Sequence, residues 1–291
     1  MTPRAAWSFA SPALIAIAAF FVVPVIAALA LSFTDFDIYG VADRHNVRFI
    51  GLDNYRRLFA APLFWTALRN TALFVFVGAP LSIAASLAAA VLLDARLARA
   101  RNVFRTALFA PVVTTVVAVA VIWRYIFHTR YGFLNYVLGW FGIDAIDWLG
   151  DPRWSMPAII VFAVWKNFGY NMIIFVAGLQ SIPADLYEAA RIDGARRLQQ
   201  FRYITVPALA PTTLLVTLLT MVGYFQLFAE PYVMTRGGPA QSTTSVLYFM
   251  FEEGFKWWNL GYASAVAFVL FAIMLAGTAL QLAVARRWSR R

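Results

Sequence analysis

Six apolar stretches of about 20 residues each constrain this chain more than any other feature. They lie near 12–33, 70–93, 104–127, 156–179, 205–228 and 262–285. A helix rises 1.5 Å per residue and a bilayer core is about 30 Å thick, so each stretch has the length of one crossing. The predicted fold class is an all-α membrane protein, a polytopic bundle of six transmembrane helices. Composition agrees, because 62% of the residues are hydrophobic and only 13% charged, against about 25% charged in soluble domains. The chain has no cysteine, which excludes disulfides, thiolate metal sites and a cysteine nucleophile.

The formal charge of +10 would suit nucleic acid if it formed one patch. The basic residues instead sit beside the apolar stretches, where they act as topology signals, and no nucleic-acid partner is expected. Arg96, Arg99 and Arg101 fill the short second connection, and Arg191, Arg196, Arg197 and Arg202 the third. Arg286, Arg287, Arg290 and Arg291 follow the last span. The opposite segments are longer and interleave basic residues with Asp35, Asp37, Asp43, Asp144, Asp147 and Asp151. This density places both termini and residues 180–204 in the cytoplasm. The first stretch begins after Arg4 and contains Ala28-Leu29-Ala30, which looks like a cleavage site. Its apolar run exceeds the 7–15 residues of a signal core, so it is expected to remain as the first helix, bent at Pro24.

A short polar-faced helix is expected over 183–194. Pro183 fits a first helical turn, where its missing N–H costs nothing. Asp185 and Glu188 lie near the positive end of the helix dipole, and Gly194 can supply the left-handed residue that ends it. Nine residues after Ala195 come Ile204, Thr205, Val206 and Pro207, where the fifth span begins.

Glu188-Ala189-Ala190, then Gly194 and the Ile204-x-x-Pro207 spacing, resembles the signature loop of bacterial ABC importer permeases, with Val206 where Leu usually precedes the proline. Phe104-Arg105 with Pro111, Ile122-Trp123-Arg124 and Gly178-Leu179-Gln180-Ser181-Ile182-Pro183 look like the carbohydrate branch of that family. So does the run from Pro231-Tyr232-Val233-Met234 through Thr235-Arg236-Gly237-Gly238-Pro239. The resemblance implies one permease domain over 1–291 in a bacterial inner membrane, with 180–204 as its coupling loop. It implies a heterodimer with a second permease, two ATP-binding subunits carrying ATP and Mg, and an extracytoplasmic solute-binding protein. This chain would itself bind no cofactor and catalyse no reaction. Glu188, Ala189, Ala190, Asp193, Gly194, Ile204 and Pro207 are the positions implied for ATPase coupling. Small side chains at Ala189 and Ala190 allow close seating in a groove, and Glu188 offers a charge-assisted contact of about 1.5–3 kcal/mol if desolvated.

Other classes find less support. His45 and His128 are the only histidines and both fall in outer segments, and Lys166 has no motif around it, so an intramembrane hydrolase lacks its parts. No Gly-Lys pair exists, which excludes a P-loop. A stand-alone secondary transporter of small polar solutes is the rival reading, and such proteins couple through buried carboxylates and repeated halves. Asp94 and Glu230 fall at span ends here, and no repeat is evident. On the fourth span Asn167, Tyr170, Asn171, Ile174 and Gly178 share one helical face. Trp165 and Lys166 flank it, and Gly223, Tyr224 and Gln226 occupy the matching half of span five. Such a face is expensive against lipid and suits a sugar pathway: Lys166, Asn167, Tyr170, Asn171, Tyr224 and Gln226 are its candidates. The bland alternative is that the Asn residues tie neighbouring helices and Lys166 snorkels outward.

Overall fold

The computed structural model describes residues 3–94 and 101–288. The expected basic clusters at Arg96 and Arg99, and at Arg290 and Arg291, lie outside the described residues. In chain order the principal helices are α1 (Phe9–Leu31), α2 (Pro62–Asp94) and a bent pair, α3 (Asn102–Val113) and α4 (Val116–Ile126). Next come α5 (Pro152–Gln180), α6 (Ala184–Ile192) and a second bent pair, α7 (Arg197–Ala208) and α8 (Ala210–Phe225). The short α9 (Ala229–Met234) and the long α10 (Leu260–Arg286) complete the set. Among the described residues, α1, α2, α5 and α10 are each long and apolar enough to cross a bilayer unbroken. The third and fifth predicted spans are broken, by 101° between α3 and α4 and by 64° between α7 and α8.

Proline explains much of this geometry. Three of the four π turns among the described residues end two residues before a proline: Ala18–Val22 before Pro24, Phe74–Gly78 before Pro80, and Phe201–Thr205 before Pro207. A proline ring clashes with the carbonyl four residues earlier and leaves it without a donor. Widening the preceding turn by one residue moves that carbonyl aside and keeps the helix continuous. Pro24 therefore sits in α1 without breaking it.

The described chain forms two compact units. One comprises the residues up to Trp65 together with Val246–Ile273. In it Asn54, only 2% exposed, donates through Nδ2 to the carbonyls of Ser32 and Thr34 at 2.9 and 2.8 Å, satisfying the chain end of α1. A helix Asp53–Ala60 holds Asn54 there, and the Arg57 guanidinium lies 5.0 Å over the Tyr262 ring. The apolar window of α1 buries none of its residues within the chain, so its surface is suited to lipid or another subunit.

The other unit comprises Thr66–Ser245 and the residues from Met274 onward. Its centre is α5, packed along α2 and flanked by α3 and α8. Asp151 caps α5, its Oδ1 accepting from the Arg153 N–H at 2.8 Å, and Pro152 fills the first turn. Met172, Phe175 and Val176 of α5 pack with Ala90 and Leu93 of α2 and Val216 of α8. Glycine sets two of the contacts. A Cβ at Gly169 would collide with the Leu108 carbonyl of α3, and one at Gly178 would lie 2.6 Å from Thr212 Oγ1 of α8. The turn after α9 is held by Asn70 of α2, whose Nδ2 donates to the carbonyls of Gln241 and Thr244 at 2.8 and 3.0 Å.

Candidate functional site

Two places in the second unit gather the residues singled out from the sequence. The first is α6 and its exit. Pro183 is the N-cap residue, with ψ at 132°, and therefore stands just outside the first turn rather than within it. Asp185 occupies that turn. At the other end Asp193 is the C-cap and Gly194 has φ at +75°. The N–H groups of Gly194 and Ala195 donate to the carbonyls of Arg191 and Ala190 at 3.1 and 2.8 Å. This pair of bonds closes the helix in a Schellman arrangement, which needs a left-handed residue at Gly194. Glu188, Ala189, Asp193 and Pro207 are exposed, and Ala190 and Ile204 half-buried. The Glu188 side chain is 63% exposed and pairs weakly with Arg191 at 3.5 Å. Ile192 is 87% exposed at the end of the same helix. One anchoring residue escaped the sequence reading: Tyr187 Oη lies 2.9 Å from the buried Thr205 Oγ1, tying α6 to the π turn that leads into α8.

The second place is a cavity of about 330 Å³ between α5 and α8. Asn167, Tyr170 and Asn171 line one side and Tyr224 and Gln226 another. Asn171 is 4% exposed and donates through Nδ2 to Thr220 Oγ1 of α8 at 2.8 Å. It thus both lines the cavity and ties two helices. Tyr224 is equally buried, its ring stacked on Phe74 of α2 at 4.8 Å. Its hydroxyl and Ser82 Oγ are the buried side-chain atoms without a hydrogen-bond partner among the described residues. A buried hydroxyl left unmatched costs about 1–3 kcal/mol, and the Tyr224 oxygen is closed to the cavity that Tyr224 lines.

Lys166, Ile174 and Gly178 are not part of this lining. Lys166 neither reaches the cavity wall nor snorkels to the surface: it is 7% exposed and donates through Nζ to the Val112 carbonyl at 3.1 Å. Val112 lies in the last turn of α3, so the ammonium sits at the negative pole of a helix whose ladder the break interrupts. Gly178 serves helix packing, as above. The lining also includes Glu230 at the start of α9, which the sequence reading set aside as the end of a span. The usable signal was a carboxylate within the apolar run Phe225–Val233, a costly placement unless a polar space receives it. A larger cavity of about 490 Å³, near Tyr125, His128, Asp147 and Met234, contains none of the pathway candidates.

The sequence profile of the binding-protein-dependent transport system inner membrane component matches residues 89–290. The chain belongs to that family. This permease is 35% identical over 285 residues to the lactose transport system permease protein LacF of Rhizobium radiobacter, covering 96% of this chain and 93% of LacF. It is 33% identical over 276 residues to the sulfoquinovosyl glycerol transport system permease protein SmoG of Agrobacterium fabrum, covering 95% of this chain and 88% of that one. Its fold matches a chain of a bacterial ABC transporter that imports the acidic polysaccharide alginate, with a TM-score of 0.81 and 22% identity over 98% and 96% of the two chains.

Proposed function

We propose that this permease is one half of the membrane pathway of an ATP-driven importer for a sugar or sugar-like solute. The single observation that carries the reading is the α5–α8 cavity, with amides at Asn167 and Asn171 and aromatic faces at Tyr170 and Tyr224. Amides exchange hydrogen bonds with sugar hydroxyls, while aromatic faces cover C–H surfaces. The relative named for lactose supports the same cargo class.

In this reading the chain works beside a second permease and two ATP-hydrolysing subunits, and a soluble binding protein delivers the cargo from outside. Both termini and α6 face the cytoplasm. α6, with Glu188, Ala189, Ala190, Asp193 and Gly194 exposed or half-buried near its C-terminal end, seats on an ATPase. Ile204 and Pro207 shape the hinge that carries the movement into α8. Closure of the ATPases tilts α5 and α8, the two helices joined through this loop, and opens the cavity outward.

Radiolabelled uptake by the complete importer across a panel of sugars tests the cargo assignment. Asn171→Ala is expected to lower uptake at least several-fold without loss of assembly or basal ATP hydrolysis. Uptake by Asn171→Ala at the unaltered rate across all sugar concentrations would remove that side chain from the pathway. Failure of every sugar to be taken up would remove the cargo class.

A further inference from the structure

Glu230 is a carboxylate at the wall of the α5–α8 cavity. It stands in the same lining as Asn167, Tyr224 and Gln226. Lys166 lies behind the wall, buried and bound to the Val112 carbonyl, and is not among the lining residues. Val112 itself lines the cavity at the C-terminal end of α3, a helix end equivalent to roughly −0.5 charge. Two negative sources, the Glu230 carboxyl and a helix terminus, therefore line the cavity, while the one cation lies behind its wall.

We propose that Glu230 makes this cavity charge-selective, passing uncharged hydroxyl-rich or cationic solutes and holding back anionic ones such as uronates and phosphate monoesters. The inference rests on the cavity being the cargo pathway. Hydroxyl-rich neutral solutes gain from the carboxylate, which accepts two or more of their O–H donors. An anion entering the same space meets like charge in a region where solvent screens less than in bulk water.

The chain contains no cysteine, so a single introduced thiol, with its labelling read on this subunit after separation from the others, reports on the cavity. Gly223 lines it, and a Cβ there meets nothing within 4 Å. The probes are a cationic and an anionic methanethiosulfonate of similar size, applied to Gly223→Cys in the assembled importer. A unit charge at the wall of a wet cavity shifts the local concentration of a monovalent ion roughly two- to sixfold, in opposite directions for the two signs. The cation-to-anion ratio of labelling rates, normalised to a free thiol, is expected to exceed one. It should fall about tenfold in Glu230→Gln and persist in Glu230→Asp.

A normalised ratio near one, or one that Glu230→Gln leaves unchanged while the importer still assembles, overturns the inference but leaves the sugar pathway standing. Should Glu230→Gln fail to assemble, Glu230→Asp and the unaltered chain still decide, because a ratio below one in both would contradict it. A thiol that neither reagent labels would show a dry cavity and overturn the inference and the pathway together.

Discussion

At the residue scale, function and stability are expected to separate at Tyr224. Its hydroxyl is buried without a partner, so Tyr224→Phe removes a desolvated group and should leave the fold as stable or up to about 1–3 kcal/mol more stable. In the proposed pathway the cargo would reach this oxygen as the cavity opens, and the same change should then reduce sugar uptake. Thermal unfolding of the purified importer and uptake, measured on the same preparation, check both parts. An Asn171 substitution differs, because Asn171 also bonds Thr220 across α5 and α8 and its loss costs about 1 kcal/mol as well. The grouping of Asn167, Tyr170 and Asn171 was legible in the sequence, since three polar residues at helical spacing can only share a face. Lys166 and Glu230 were not. Their roles depend on where α3 breaks and where α8 ends, and helix ends are decided by packing rather than by local composition.

At the element scale, six spans were legible because bilayer thickness fixes their length, whereas the two breaks were not. Pro24, Pro80 and Pro207 are absorbed by π turns, while the α3–α4 break falls at Thr114–Thr115, just beyond Pro111. A proline in an apolar run thus predicts a local disturbance but not its size, which the neighbouring helices determine. The start of α5 offers a titration test. Hydrogen bonds from the Arg153 side chain, then from its backbone N–H, hold the Asp151 carboxyl below its ordinary range. The folded-state value is depressed, so the cap's contribution is complete above the unfolded value and is lost as pH falls through the folded one. Amide-exchange protection at Arg153, Trp154 and Ser155 should therefore stay level from neutral pH down to the ordinary carboxylate range and decline as pH falls through and below it. Asp151→Ala should show the low-pH level throughout, since the Trp154 and Ser155 amides keep their bonds to the backbone carbonyl at 151.

At the scale of the whole molecule, the chain is an apolar scaffold with exposed faces that its own residues do not cover. The α1 surface is open along its length, and α6 carries exposed Ile192 beside Glu188. The Glu188–Arg191 pair is surface-exposed, and such pairs contribute about 0–1 kcal/mol. Glu188→Lys should therefore leave the fold intact, and its consequences should appear only in coupling. Gly194→Asp adds a strain of about 1–2 kcal/mol at positive φ together with a charge at the same face. The most direct test of the account is uptake in proteoliposomes containing the complete importer, its ATPases and the binding protein, with and without enclosed ATP, for the unaltered chain and for Glu188→Lys. The account predicts uptake that requires ATP and disappears in Glu188→Lys while the subunits remain assembled. Sugar uptake by this chain alone, without ATP or ATPases, would contradict it.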